Sequence, residues 1–174
     1  MTQTFMGFGM SQHWDDMLIW ETFFKDYQPK TFIELGSGHG GMSLFFALQC
    51  YQYGAGFSTF DNRRNFDTDI GLAGLMGLTQ KLYNVDIFRE GKEIVEKKIG
   101  EAIHPLAVFF DNGDKRMEWK TFAHLTQKDD LCIVHDWNVE FTWDDIGNVG
   151  VKEIMMKFNT SVRSGFTTKW LLRT

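Results

Sequence analysis

One run, Phe32-Ile33-Glu34-Leu35-Gly36-Ser37-Gly38-His39-Gly40-Gly41, constrains the fold of this 174-residue chain more than any other. Apolar residues lead into a cluster of glycines, and a segment of helical character begins near Met42. That order predicts a buried strand, a tight turn and a helix. Glycines let the backbone turn sharply and come close to a ligand, and the free amides of a helix start favour an anionic or carboxylate group. The result is a nucleotide-type pocket at the carboxyl end of a strand.

The rest of the chain repeats that rhythm. Short apolar runs at Thr31 to Leu35, Phe57 to Phe60, Leu82 to Val85, Leu106 to Phe110 and Leu131 to His135 are strand candidates. Helical spacing appears between and after them: Trp119, Phe122 and Ala123, then Val151, Ile154, Met155 and Phe158. Alternation of this kind predicts an α/β fold, a three-layer Rossmann-like sandwich with a mostly parallel sheet and helices on both faces. The tail Thr167 to Leu172 reads as a final antiparallel strand at or near the edge. Pro29 and Pro105 each stand just before a strand, where a missing amide donor does no harm. Residues 1–30 read as an N-terminal helical segment, with Trp14, Met17 and Leu18 at helical spacing, that leans on the sheet and serves as a lid. The whole of 1–174 is expected to be one domain.

Composition excludes several classes of function. A net charge of −5 without a basic block leaves no electrostatic footprint for nucleic acid or an anionic membrane. No stretch reaches the ~18 to 20 uninterrupted apolar residues of a membrane span. Cys50 and Cys132 lie in apolar stretches without paired spacing, and no secretory leader is visible, so a reduced, cytoplasmic protein is expected. Homo-oligomerisation is left open.

Two ligand classes compete for the glycine turn, because Gly36, Gly38 and Gly41 also satisfy the dinucleotide pattern G-x-G-x-x-G. Glu34 is the deciding residue. Glu-Leu-Gly-Ser-Gly-His-Gly resembles the first motif of class I (Rossmann-like) methyltransferases, in which the acid lies near the methionine end of S-adenosylmethionine. The resemblance implies a cofactor site of Glu34, Gly36, Ser37, Gly38, His39 and Gly40. Asp61 at the end of the second strand would accept the ribose hydroxyls, and Asp86 at the end of the third would lie near the adenine. Asp61 and Asp86 also read as ordinary strand-end or cap residues.

The second half strengthens the likeness. Asp111, Gly113, Lys115 and Glu118, followed by Asp130, Ile133, His135 and Asp136, resemble a bacterial and phage subgroup of these enzymes with a D-G-G-x-K-x-x-E-F, then G-D-x-I-x-x-H-D-Y pattern. Asn112, Trp119, Asp129 and Trp137 depart from it. In related O-methyltransferases, acids at the fourth and fifth strand ends bind magnesium, which implies a metal set of Asp111, Asp136 and Asn138. The alternative makes His135 or Asp136 a general base, since a neutral imidazole can accept a hydroxyl proton. Asp111, His135 and Asp136 are therefore the catalytic candidates. Lys115 and Glu118, three apart, equally read as a surface pair, and Trp14, Trp137 and Trp143 as pocket wall or core.

The function that follows is methyl transfer from S-adenosylmethionine to a small-molecule acceptor, with oxygen favoured and Mg2+ as the candidate ion. An NAD-linked oxidoreductase and a non-catalytic ligand- or partner-binding protein are the competing readings.

Overall fold

The computed structural model describes residues 3–62, 81–155 and 167–174. Its elements in chain order are β1 (Gln3–Phe5), β2 (Phe8–Met10), α1 (Trp14–Tyr27), β3 (Thr31–Leu35), α2 (Gly41–Tyr53), β4 (Gly56–Asp61) and β5 (Lys81–Asn84). There follow α3 (Lys92–Gly100), β6 (Leu106–Phe110), α4 (Lys115–Phe122), β7 (Leu131–Trp137), β8 (Val151–Ile154) and β9 (Thr167–Arg173). The main sheet runs β5-β4-β3-β6-β7-β9-β8, parallel from β5 to β7, with β9 antiparallel to both β7 and β8. The expected α/β sandwich with an antiparallel C-terminal strand is the observed architecture.

Alternation along the strands builds two cores, one on each face. Phe32, Phe109, Ile133 and Trp170 face α1 and α2, where Trp20 lies 4.6 Å from Phe46, 4.8 Å from Phe109 and 4.3 Å from Trp170, centroid to centroid. Their neighbours Ile33, Phe110, Val134 and Leu171 face α3 and α4, packing against Val95, Ile99, Trp119 and Phe122. The chain winds outward from β3 to β5, then returns to β6 beside β3. That reversal opens a crevice above the β3 and β6 carboxyl ends.

Two expectations are corrected. Residues 3–10 are a β-hairpin rather than helix. Met6 (φ 49°) and Gly7 (φ 89°) are both left-handed, as a two-residue hairpin turn of the type that matches strand twist requires. Helix begins only at Trp14, where the His13 amide donates to Asp16 Oδ2 at 2.9 Å. The predicted helix at Val151, Ile154 and Met155 is instead strand β8 through Ile154, paired with β9 from Val151↔Arg173 to Ile154↔Trp170, with Met155 just past its end at φ 57°. Four residues of helical spacing cannot outweigh a ready-made ladder and the 2.7 Å Lys169–Glu153 ion pair across it. Phe158, from the same stripe, lies outside the described residues. No helix among the described residues is long and apolar enough to cross a membrane.

Gly36 sets the joint between β3 and the crevice. Its φ is +103°, and a Cβ there would lie 2.3 Å from the Asp111 carbonyl oxygen, whereas at Gly38 (φ +54°) a Cβ would meet nothing within 4 Å. Gly36→Ala should therefore cost about 3 kcal/mol, from left-handed strain and steric overlap together, and Gly38→Ala about 1 kcal/mol from strain alone. Urea denaturation of the two variants against the wild type checks the ranking.

Candidate active site

A cavity of about 480 Å³ occupies the crevice. The glycine turn forms one wall: Gly36, Ser37, Gly38 and His39 line it, and Gly36, Gly38 and Gly40 all have positive φ. Asp61, at the end of β4, accepts a 2.8 Å hydrogen bond from the Gly38 amide and lines the same wall, so turn and strand end are one unit. Asp86 lies at the rim beyond β5. It accepts from the Phe88 amide at 2.9 Å and pairs with Arg89 at 3.6 Å, so it closes its own turn while bordering the cavity.

Glu34 lies beneath the turn, 1% exposed. Its Oε2 accepts from Ser43 Oγ and Thr59 Oγ1, both at 2.5 Å, while Ser37 Oγ lies 2.5 Å from Thr59 Oγ1. Because the Thr59 hydroxyl proton goes to Glu34, Ser37 is the donor in the second bond. The chain Ser37, Thr59, Glu34 and Ser43 ties β3, β4, the turn and the first residues of α2 together. Burial is the main influence on this carboxyl and pushes its pKa up to about 8, against the opposing hydroxyl bonds.

Asp111, His135 and Asp136 form the opposite wall. His135 Nδ1 lies 3.1 Å from Asp111 Oδ1 and 3.2 Å from Asp136 Oδ1. Successive residues of a regular strand point to opposite faces, yet both His135 and Asp136 line the cavity. The β7–β9 register shifts between Val134 and Trp137, and Asp136 sits at φ 54°; this bulge turns the second side chain back into the crevice. Lys115, from the first turn of α4, is buried beside them and lines the same cavity. Its Nζ lies 2.8 Å from Asp136 Oδ2, 3.0 Å from Glu140 Oε2 and 3.4 Å from Asp111 Oδ1.

Opposite charges face one another inside this cluster. Burial pulls the His135 pKa down, but Asp111 and Asp136 outweigh it and raise the ring to about 10. Burial likewise works against ionised Asp136, and His135 and Lys115 overcome it, bringing the carboxyl to about 2. Lys115 is also raised, its desolvation outweighed by Asp111, Asp136 and Glu140. The two flanking carboxylates thus favour the protonated form of the His135 ring.

Sequence reasoning missed the roof. Gly9, Met10, Ser11 and Gln12, from β2 and the link to α1, line the cavity. The Gln12 amide donates from Nε2 to Asp111 Oδ2 at 3.4 Å and accepts from Trp20 Nε1 at 3.2 Å. Only Gly7, with Phe5 and Phe8 flanking the turn, hints at a hairpin here. His39, exposed, packs its Cβ against Gly9 at the rim. Lys115 and Glu118 are not a surface pair, for both are buried: Lys115 joins the acids, and Glu118 Oε1 accepts from the Asn112 amide at 3.0 Å. Asp130 belongs to the opposite end of the sheet, where it accepts from the Leu106 amide at 2.8 Å and pairs with His104. Asn138 lies past the bulge, its amide bonded to the Phe141 carbonyl, and is not among the lining residues; nor are Trp14, Trp137 or Trp143.

No protein-family model matches the sequence, and no curated protein does either. Solved structures match along nearly the whole chain. CmcI with magnesium and S-adenosylmethionine is 17% identical, with a TM-score of 0.75 over 99% of this chain and 76% of that one. CmcI with S-adenosylhomocysteine is 18% identical, with a TM-score of 0.70 over 98% and 81%. The O-methyltransferase TomG from Streptomyces achromogenes, involved in tomaymycin synthesis and solved with S-adenosylmethionine, is 14% identical, with a TM-score of 0.65 over 95% and 82%. The chain shares the fold of these proteins.

The residues present fit both an adenosyl ligand and an ion. Left-handed glycines and two strand-end acids make a cradle on one side, and donor atoms of Asp111, His135 and Asp136 lie within 4.8 Å of one another on the other. The Glu34 carboxyl supplies a test of the cradle. Its folded pKa, about 8, stands above the ordinary value of 4.5, so the folded state holds the proton more tightly. Its contribution to stability is full below pH 4.5 and is lost as pH rises to about 8. Glu34→Gln should remove that slope, so the variant gains on the wild type as pH rises through this window. Urea midpoints between pH 5 and 9 measure the gain, and parallel curves would show an ordinary carboxyl.

Proposed function

We infer that this chain is an S-adenosylmethionine-dependent methyltransferase acting on the hydroxyl of a small-molecule acceptor. One observation carries the reading: a glycine cradle of the adenosyl-binding kind and the Asp111–His135–Asp136 cluster face each other across a single cavity at the switch point of the sheet. The same fold in CmcI and TomG, solved with S-adenosylmethionine, supports it.

When bound, the cofactor supplies an electrophilic methyl group on a sulfonium. The chain's own residues do the rest. The turn from Gly36 to Gly40 brings backbone close to the ligand, and Asp61 offers a carboxylate oxygen to ribose hydroxyls while its Oδ2 holds the Gly38 amide. Asp111 and Asp136 hold the acceptor side. Fixed by the bulge, Gln12 and Lys115, they can orient a hydroxyl directly or through a divalent cation that lowers its pKa. A rigid wall of this kind suits a reaction in which nucleophile and methyl carbon must be held in line, where positioning supplies much of the rate.

S-adenosylhomocysteine should raise the melting temperature and NAD should not. Asp61→Ala should weaken S-adenosylhomocysteine binding by about 1.5 to 3 kcal/mol, roughly ten- to a hundredfold in Kd, through loss of charge-assisted hydrogen bonds. Isothermal titration measures both. Tight NAD binding without an adenosyl response would favour the oxidoreductase reading, and binding of S-adenosylhomocysteine without turnover of any hydroxyl acceptor the non-catalytic one.

A further inference from the structure

We propose that Asp111 Oδ1, His135 Nδ1 and Asp136 Oδ1 form a mixed nitrogen–oxygen site selective for a first-row transition ion such as Fe2+, Co2+ or Ni2+ rather than Mg2+. The inference deepens the reading of the acceptor wall given above and rests on it.

Geometry is the first support. An ion about 2.1 Å from each ligand requires donors roughly 3 to 4 Å apart. His135 Nδ1 stands 3.1 Å from Asp111 Oδ1 and 3.2 Å from Asp136 Oδ1, both inside that range. The cluster borders the cavity, so the remaining coordination positions face space that an acceptor hydroxyl or water can fill.

The second support is independent of the first: each carboxylate uses its other oxygen for a partner that fixes its orientation. Asp111 Oδ2 accepts from Gln12 Nε2 at 3.4 Å, and Gln12 is itself held by Trp20 Nε1 at 3.2 Å. Asp136 Oδ2 takes Lys115 Nζ at 2.8 Å, and that ammonium is shared with Glu140 at 3.0 Å. The oxygens turned toward His135 are thereby oriented through their partners on the other oxygen, the arrangement typical of supported metal sites. Lys115 Nζ also lies 3.4 Å from Asp111 Oδ1, the same separation as the Gln12 bond, so an entering ion would share that oxygen with the ammonium.

Donor chemistry selects the ion. Mg2+ is hard, dehydrates reluctantly and takes carboxylate, carbonyl and water oxygens, whereas imidazole suits later first-row ions. A carboxylate at position 135 would give an all-oxygen site; this chain presents nitrogen there.

The test uses the full chain, stripped with a chelator and titrated calorimetrically with CoCl2 and MgCl2, beside Gln12→Ala and His135→Glu. Any oxygen site prefers Co2+ somewhat, so the variant decides. The Co2+:Mg2+ affinity ratio should fall at least about tenfold in His135→Glu, and Gln12→Ala should weaken Co2+ binding roughly ten- to a hundredfold. Electron spin-echo modulation of bound Mn2+ should show a directly coordinated nitrogen-14 in the wild type, and this measurement decides even if His135→Glu does not fold. An unchanged ratio, a missing nitrogen signal, or folded wild type that binds neither ion below millimolar concentration would overturn the proposal. S-adenosylhomocysteine affinity, measured on the same samples, reports separately on the methyltransferase reading.

Discussion

Backbone contact between Gly36 and Asp111 is the constraint on which the site depends. A side chain at Gly36 would place its Cβ 2.3 Å from the Asp111 carbonyl oxygen, so the turn after β3 can pass the end of β6 only as bare backbone. Two hydrogen bonds use that closeness: the Gly36 amide donates to the Phe60 carbonyl and the Asp111 amide to the Leu35 carbonyl, each at 2.8 Å. Three neighbouring strand ends are thereby locked in register. Glu34, Asp61 and Asp111 ride on those ends, and the spacing between cradle and acceptor wall is set by main chain rather than by mobile side chains.

A second constraint is electrostatic. Asp111, Asp136 and Glu140 are gathered around a lysine that is 4% exposed, a costly arrangement unless every charge is answered. Lys115 and His135 answer the two more buried acids, while Glu140, 43% exposed, keeps part of its charge in water. An entering cation would share the two carboxylates with Lys115, which lies 2.8 Å from Asp136 Oδ2 and 3.4 Å from Asp111 Oδ1. The same cluster can thus exist with or without an ion and leave no buried charge unpaired.

Local signals carried much of this. The glycine turn, the parallel strands and Asp61 were legible because strand-to-helix turns and strand ends have short-range signatures, glycine clusters and apolar runs that stop at an acid. The failures share a cause. Val151, Ile154 and Met155 have helical spacing, but so short a stretch satisfies either period, and the partner that decides, β9, lies later in the sequence. His135 and Asp136 were both named as candidates, yet nothing in a run of apolar residues announces the bulge that turns both inward. Lys115 read as surface because a lone lysine at a helix start usually is; its burial depends on acids supplied by β6, β7 and the loop after β7.

Gln12 shows how a polar residue with no motif around it can be fixed by its neighbours. The Trp20 indole can only donate, so the side-chain oxygen of Gln12 must face it; the Asp111 carboxylate can only accept, so the nitrogen must face the cavity. A glutamate would satisfy the indole but set a second carboxylate against Asp111, and a methionine would leave both partners unmet. Trp20 is packed among Phe23, Phe32, Phe46, Phe109 and Trp170, so the orientation of this amide is anchored in the aromatic core. The hairpin roof is thus tied to the sheet by two unlike contacts: Gly41 against the Phe8 and Gly9 carbonyls, where only a missing side chain fits, and Gln12 between indole and acid, where only an amide serves both.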